Sequence, residues 1–192
     1  SEILKSIKED LQRLGVIHDE YISERKIMTD CNISDLIKFL KDKDLVYEGV
    51  LEKPKGGCLT AEWKQKKQLI FKATHFNDDS DRVILKSDGS HTYFTTDMAY
   101  HSNKIARGYK RMILFLGADH IGYIKRITAA VNALSKNKVN LNCKVCQLVK
   151  LYKNGIPFKM SKRAGDFISA SDLLDEVDKD SIRFMMLNRS ND

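Results

Sequence analysis

The run Lys159-Met160-Ser161-Lys162-Arg163 places three cations around one hydroxyl side chain within five residues. In attack on a phosphate, charge spreads over the phosphoryl oxygens, and ammonium groups on a movable loop stabilise it as it develops. The run follows an Asn154-Gly155 turn and leads through Gly165 to Ser169-Ala170-Ser171-Asp172, a capping-box pattern that opens a helix. A solvated basic turn would also be rich in lysine. It would not need an apolar Met160 between two lysines, directly after a segment that reads as a parallel strand.

Two further segments fall where an open parallel sheet holds its ligands, at strand carboxyl ends facing helix N-termini. In Thr92-Tyr93-Phe94-Thr95-Thr96-Asp97 the pattern puts Tyr93 on a strand and Asp97 at a helix start. A carboxylate there takes a guanidinium or ammonium while an aromatic face covers it. The plainer reading is an acidic capping residue beside a core tyrosine. In Gly117-Ala118-Asp119-His120-Ile121-Gly122 the glycine turns the chain off a strand, Asp119 caps a helix, and His120 faces the crevice from its first turn. A purely structural histidine remains the alternative. Asp78, Asp79 and Asp81 read as a solvated acidic loop rather than a cation site. Trp63, amid Lys64, Lys66 and Lys67, reads as a half-buried surface tryptophan rather than an RNA contact. Cys143 and Cys146 form a CxxC, but on a strand that odd spacing sends them to opposite faces, and no second pair completes a metal tetrad. No metal site is expected.

The elements that must carry these residues follow from periodicity. Ile3, Leu4, Ile7, Leu11 and Leu14 recur at helical spacing, with Gly15 as the stop. Residues 16–23 read as a strand, 33–40 as a helix capped by Asn32, and 45–51 as a strand closed by Pro54, Gly56 and Gly57. From residue 69 strand and helix alternate: a strand over 69–75, then a hairpin of 83–86 and 91–95 around Asp88-Gly89. A helix is expected from Asp97 to Gly108, followed by a fully apolar strand over 112–116, of the kind covered on both faces. Ile121, Ile124, Ile127, Val131 and Leu134 stripe the next helix, and a strand follows over 143–149. Strand, helix and strand over about 38 residues make a parallel crossover. The expected class is α/β, with a partial doubly wound, Rossmann-like parallel sheet over 69–192 and a small mixed α/β segment over 1–68.

Bulk properties exclude several classes. With 42% apolar residues in 192, the chain is not disordered as a whole. The longest apolar run, 112–118, is far short of the roughly 20 residues of a membrane-spanning helix. The first ten residues are polar and amphipathic, unlike a signal peptide. Lys and Arg outnumber Asp and Glu by 33 to 26, a charge of +7 that suits a polyanion such as RNA or a nucleotide. Four scattered cysteines are too few for a disulfide framework and imply a reducing, cytosolic setting.

The lysine loop resembles the second signature of class I aminoacyl-tRNA synthetases. Lys86-Ser87-Asp88-Gly89, residues 93–101, residues 117–123 and residues 159–165 stand in an order and spacing similar to those of bacterial arginyl-tRNA synthetases, most densely from Phe71 to Arg189. The resemblance implies the C-terminal half of a catalytic domain of the HUP type. It implies that Tyr93 and Asp97 pack on and salt-bridge a substrate arginine, with His120 near its amino-acid end and near ATP. It implies that Lys159 and Lys162 act catalytically over ATP, with Met160 and Ser161 in the same ATP-binding loop. Arginine, ATP with its accompanying Mg2+, and tRNA(Arg) are the implied substrates, in a cytoplasmic, non-membrane, monomeric parent enzyme. The first signature of the class, His-Ile-Gly-His, does not occur. His120-Ile121-Gly122-Tyr123 copies three of its letters but belongs to a different motif, so the chain alone is expected to be inactive. A stand-alone RNA-binding or regulatory paralogue without aminoacylation activity is the alternative.

Overall fold

The structure, a computed structural model, describes residues 2–30, 33–50, 67–147, 149, 151–153, 155–158 and 168–188. Contacts divide the chain into two compact units, one of Ser1–Tyr21 with Cys146–Asp192 and one of Ile22–Val145.

The first unit carries α1 (Glu2–Arg13), and the second begins with α2 (Glu24–Asp30) and α3 (Ile33–Asp42). An antiparallel sheet in the order β1-β2-β3 follows, from β1 (Val46–Gly49), β2 (Gln68–Phe71) and β3 (Arg82–Leu85). Next come α4 (Tyr93–Ala106), β4 (Arg111–Gly117), a 3-10 helix (Ala118–Tyr123), α5 (Ile124–Ser135) and β5 (Asn140–Cys146). The strands β4 and β5 pair in parallel across α5 as the crossover pattern requires, so the mixed α/β class is observed.

The helices form where apolar residues recur at helical spacing. On α3, Ile33, Leu36 and Leu40 are buried. On α5, Ile127 and Val131 are fully buried beside Ala129, Ala130 and Ala133, whose small side chains let neighbouring elements approach closely. Phe71, Ile84, Leu40 and Met98 join Ile127 in one core, where the Phe71 ring lies 6.1 Å from that of Phe76 and 6.2 Å from that of Phe94.

Several expected elements differ. Residues 16–23 form no strand: the turn Val16 N–H to Leu11 carbonyl (2.8 Å), with Gly15 at φ 72°, closes α1. The strand expected over 69–75 stops at Phe71, and Ala73–Phe76 is a 3-10 helix that Asn77 ends in the left-handed region. Asp81 holds that turn by accepting from the Thr74 N–H (3.0 Å) and hydroxyl (2.8 Å). The last strand runs from Asn140 rather than 143 and ends at Cys146. On β4, Met112 is buried and Leu114 half-buried, but Ile113 and Phe115 are 61% and 69% exposed. Among the described residues α5 covers one face of that strand and the other is bare, against the expectation of cover on both. Ile121 precedes α5 and is exposed, so the stripe begins at Ile124.

The first unit contains the hairpin β6 (Leu151–Lys153) and β7 (Ile156–Phe158), then α6 (Ala170–Glu176) and α7 (Lys179–Leu187). Its helix α1 buries no residue, leaving Ile3 and Ile7 exposed on the apolar stripe. Arg13 binds Ser171 and Asp175, and Arg183 donates to the Leu14 carbonyl at 3.1 Å. Among the described residues no helix is long and apolar enough to cross a membrane.

Candidate functional site

Threonines set where α4 starts. The Thr92 hydroxyl donates to the Val83 carbonyl (2.9 Å) and the buried Thr95 hydroxyl to the Ile84 carbonyl (2.6 Å). Both bonds engage carbonyls of β3 while the chain turns into helix, so the second arm of the expected hairpin shrinks to one bridge, Leu85 to His91. The helix therefore begins at Tyr93, four residues before the expected start, and Asp97 lies in its second turn rather than at a cap. Tyr93 is 89% exposed, so it is not a core tyrosine. Spaced four apart, Tyr93 and Asp97 share one face of α4.

Asp97 lines a cleft of about 220 Å3 with Thr96 and Tyr100 from α4 and Ile22, Glu24 and Ile27 from the segment at α2. Its carboxylate accepts a hydrogen bond from the Tyr123 hydroxyl. Burial, then that bond to a negative group, push the Tyr123 phenol far above its ordinary range, so it stays a donor. Arg126 lies 5.3 Å from the Tyr123 ring centre and 6.0 Å from that of Phe94. The His101 ring, 4% exposed, sits with Nδ1 2.9 Å from the Asp97 carbonyl oxygen. Burial pushes its pKa down, which leaves a neutral imidazole to donate through Nδ1 and fasten the turn that carries Asp97.

His120 belongs to the 3-10 helix, not to the first turn of α5, with its side chain 64% exposed and Nε2 3.5 Å from Asp119 Oδ2. Asp119 caps nothing by hydrogen bond. The member of that short helix that reaches Asp97 is Tyr123, three positions after His120. Sequence reasoning passed over Tyr123 as the last letter of a motif. It also passed over Tyr100, whose spacing of three from Asp97 points to the same face once residues 93–100 are read as helix.

Lys159, Met160, Ser161 and Lys162 lie outside the described residues, as do Trp63, Lys64, Lys66 and the Asn32 cap. The described chain before the lysine run is an antiparallel pair with Lys153 opposite Ile156, not a parallel strand. After the run, α6 opens with the expected capping box: Ser169 Oγ accepts from the Asp172 N–H (3.1 Å) and Asp172 Oδ2 from the Ser169 N–H (2.9 Å).

In the acidic turn Asp78 and Asp81 are built into the fold, while Asp79 stays exposed as expected. Asp78, 7% exposed, takes Nε and Nη2 of Arg82 at 2.7 Å each. Burial opposes its charge, but the Arg82 and Asp79 N–H bonds outweigh that and hold its pKa below the usual value. Asp79 pairs with Lys125 at 2.7 Å. On β5, half-buried Leu141, Cys143 and Val145 alternate with exposed residues and Cys146 is exposed, the opposite-face arrangement expected of the CxxC. Among the described residues no group of three His, Cys, Asp or Glu side chains forms a metal cage.

A family model described as "tRNA synthetases class I (R), catalytic domain" matches residues 28–192. An arginine–tRNA ligase of Pelagibacter ubique is 54% identical over 192 residues, covering all of this chain and 33% of that protein. One from Wolbachia pipientis is 49% identical over all of this chain and 34% of its own length. The chain thus spans about a third of the length of the curated relatives it matches. Among solved structures, an arginyl-tRNA synthetase from Campylobacter jejuni superposes with a TM-score of 0.80 at 34% identity, over 100% of this chain and 38% of that one. The match takes in α4, the 3-10 helix with Tyr123 and the lysine run alike, and by it the chain belongs to the class I arginyl-tRNA synthetase catalytic-domain family.

Proposed function

We propose that this chain supplies the arginine-selecting wall and the ATP loop of an arginine–tRNA ligase. The observation that carries the reading is Asp97, a carboxylate at a cleft wall with Tyr93 one helical turn away on the same face. A planar guanidinium pairs with a carboxylate through two parallel N–H bonds, and an aromatic face covers its plane. Tyr93 and Asp97 take those roles, and His120 stands toward the amino-acid end of the substrate and ATP. In the first step an arginine carboxylate oxygen bonds to the α-phosphorus of ATP. The bond from that phosphorus to the bridging oxygen breaks, and pyrophosphate leaves with the electron pair. Lys159 and Lys162 neutralise the charge that builds on the departing phosphates, on a loop shaped by Met160 and Ser161. In the second step a ribose hydroxyl of the tRNA(Arg) 3′ adenosine attacks the arginyl carbonyl carbon and AMP leaves.

Mg2+ enters with the ATP phosphates as part of the substrate, and we assign it no ligand among the described residues. The remaining assignments belong to the same reading: a doubly wound, HUP-type sheet, residues 1–68 as a connective segment before a catalytic half over 69–192, and a monomeric enzyme working in the cytoplasm. The first class I signature is not in this sequence, so the 192 residues alone are expected to give no arginine-dependent pyrophosphate exchange.

The test is steady-state aminoacylation by a full-length ligase carrying these residues. Asp97→Asn keeps the shape and removes the charge. It is expected to raise the KM for arginine about a hundredfold, in line with truncating one side of a desolvated charge pair, and to leave the KM for ATP unchanged. An unchanged arginine KM overturns the reading, and tRNA binding without any charging would favour the RNA-binding paralogue instead.

A further inference from the structure

Asp97 is the residue on which recognition turns, yet nothing in its own side chain fixes the plane of its carboxylate. The terminal torsion of an aspartate is broad and two-fold, whereas bidentate pairing with a guanidinium works only when both planes coincide. An ammonium, a point charge with rotating donors, makes no such demand. Whatever pins the carboxylate plane therefore sets the preference for a guanidinium over an ammonium.

The Tyr123 hydroxyl donates to Asp97 Oδ2. An ionised carboxylate has about two lone-pair sites on each oxygen, so this bond holds Oδ2 while Oδ1 and the second site on Oδ2 stay open to a forked donor. The phenol is itself held. The Arg126 guanidinium packs against the rings of Tyr123 and Phe94, and among the described residues its buried Nε has no hydrogen-bond partner, so ring packing holds it there. From below, His101 ties down the Asp97 carbonyl. The side chain of Asp97 is thus held from the 3-10 helix and its carbonyl from within α4 itself.

We propose that Tyr123 is the positioning residue for Asp97, orienting its carboxylate so that it accepts a guanidinium in a fork and discriminates against a single ammonium. The inference rests on the proposed role of Asp97 and adds to it a residue outside the substrate contacts.

Tyr123→Phe keeps the ring, its packing on Arg126 and its volume, and removes the hydroxyl alone. In a full-length ligase carrying these residues, the variant raises the KM for arginine about tenfold, as expected for losing one hydrogen bond to a charged group. Its kcat and its KM for ATP stay within about twofold of the parent, and competitive inhibition by lysine weakens less than arginine binding does. The double variant Asp97→Asn with Tyr123→Phe binds arginine no more weakly than Asp97→Asn alone, since the tyrosine acts through the aspartate. Two results overturn the inference and leave the role of Asp97 standing: an arginine KM unmoved by Tyr123→Phe while Asp97→Asn raises it, or additive losses in the double variant. Equal losses in kcat and in both KM values mark a merely structural tyrosine and overturn it too. An arginine KM unmoved by Asp97→Asn removes the underlying reading itself. Should Tyr123→Phe fail to fold, 3-fluorotyrosine at position 123 keeps the packing and alters the donor strength; an unchanged arginine KM there also overturns the inference.

Discussion

Asp78 shows how a single residue's surroundings decide between a solvated charge and a structural one. Its side chain has no exposed surface, and Arg82 closes on both of its oxygens. Removing the Asp78 charge weakens the charged hydrogen bonds to Arg82, itself only half-buried, which costs about 1.5–3 kcal/mol. Asp78→Asn is therefore expected to lower the unfolding free energy at neutral pH by about that much, read from urea denaturation. The pH dependence follows from the depressed pKa of Asp78, a carboxyl whose ordinary value is 3.8. The folded state releases this proton more readily than the unfolded chain, so the stabilisation is complete above about pH 4 and is lost as pH falls through the folded value. Asp81, depressed by bonds from Thr74 and Tyr47 against the opposing effect of burial, adds to the same acid loss. The variant should accordingly lose less stability than the parent between about pH 4 and 2, with part of the remaining slope carried by Asp81.

At the scale of elements, the start of α4 fixes the spacing of Tyr93 and Asp97, and Thr95 fixes that start. Its side chain is fully buried and its hydroxyl satisfies the Ile84 carbonyl. Thr95→Val preserves the shape and removes one of two bonds on that carbonyl, which keeps the Thr92 N–H at 3.1 Å, a loss of about 0.5–1.5 kcal/mol. The midpoint of chemical denaturation should fall accordingly, and an unchanged midpoint would mean that the helix start is fixed elsewhere. The same segment shows what a sequence conceals. Thr92, Tyr93, Phe94, Thr95 and Thr96 are β-branched or aromatic, so local preference points to a strand. The Thr92 and Thr95 hydroxyls, however, find partners on β3 that only the folded chain supplies. Where periodicity is long and one-sided, as on α3 and α5, the elements were legible, and so was the capping box at Ser169. Asp97 was legible as a carboxylate near a helix start, although it stands in the second turn of α4 rather than at the corner. Tyr123 was not, because its role comes from a residue 26 positions away in the chain.

For the molecule as a whole, the informative surface is the uncovered face of β4. Burying apolar surface contributes about 25 cal/mol per Å2, so Ile113 and Phe115, at 61% and 69% exposure, represent stabilisation that the described residues leave unused. A ligand crevice at a topological switch point needs parallel strands on both of its sides, and the parallel sheet among the described residues has two strands in all. The relatives are about three times as long as this chain. The 192 residues expressed alone should therefore bind an apolar fluorescent dye in the folded state, on the Ile113–Phe115 face. Replacing both residues by lysine should abolish most of that signal. It should move the denaturation midpoint little, because substitutions at exposed positions fall within about 0.5 kcal/mol. In a full-length protein carrying these residues the opposite ranking is expected: weak dye binding at this face from the outset, and strong destabilisation by the double lysine variant. Equal tolerance of the lysines in both contexts would show that this face stays open to water in the full-length protein.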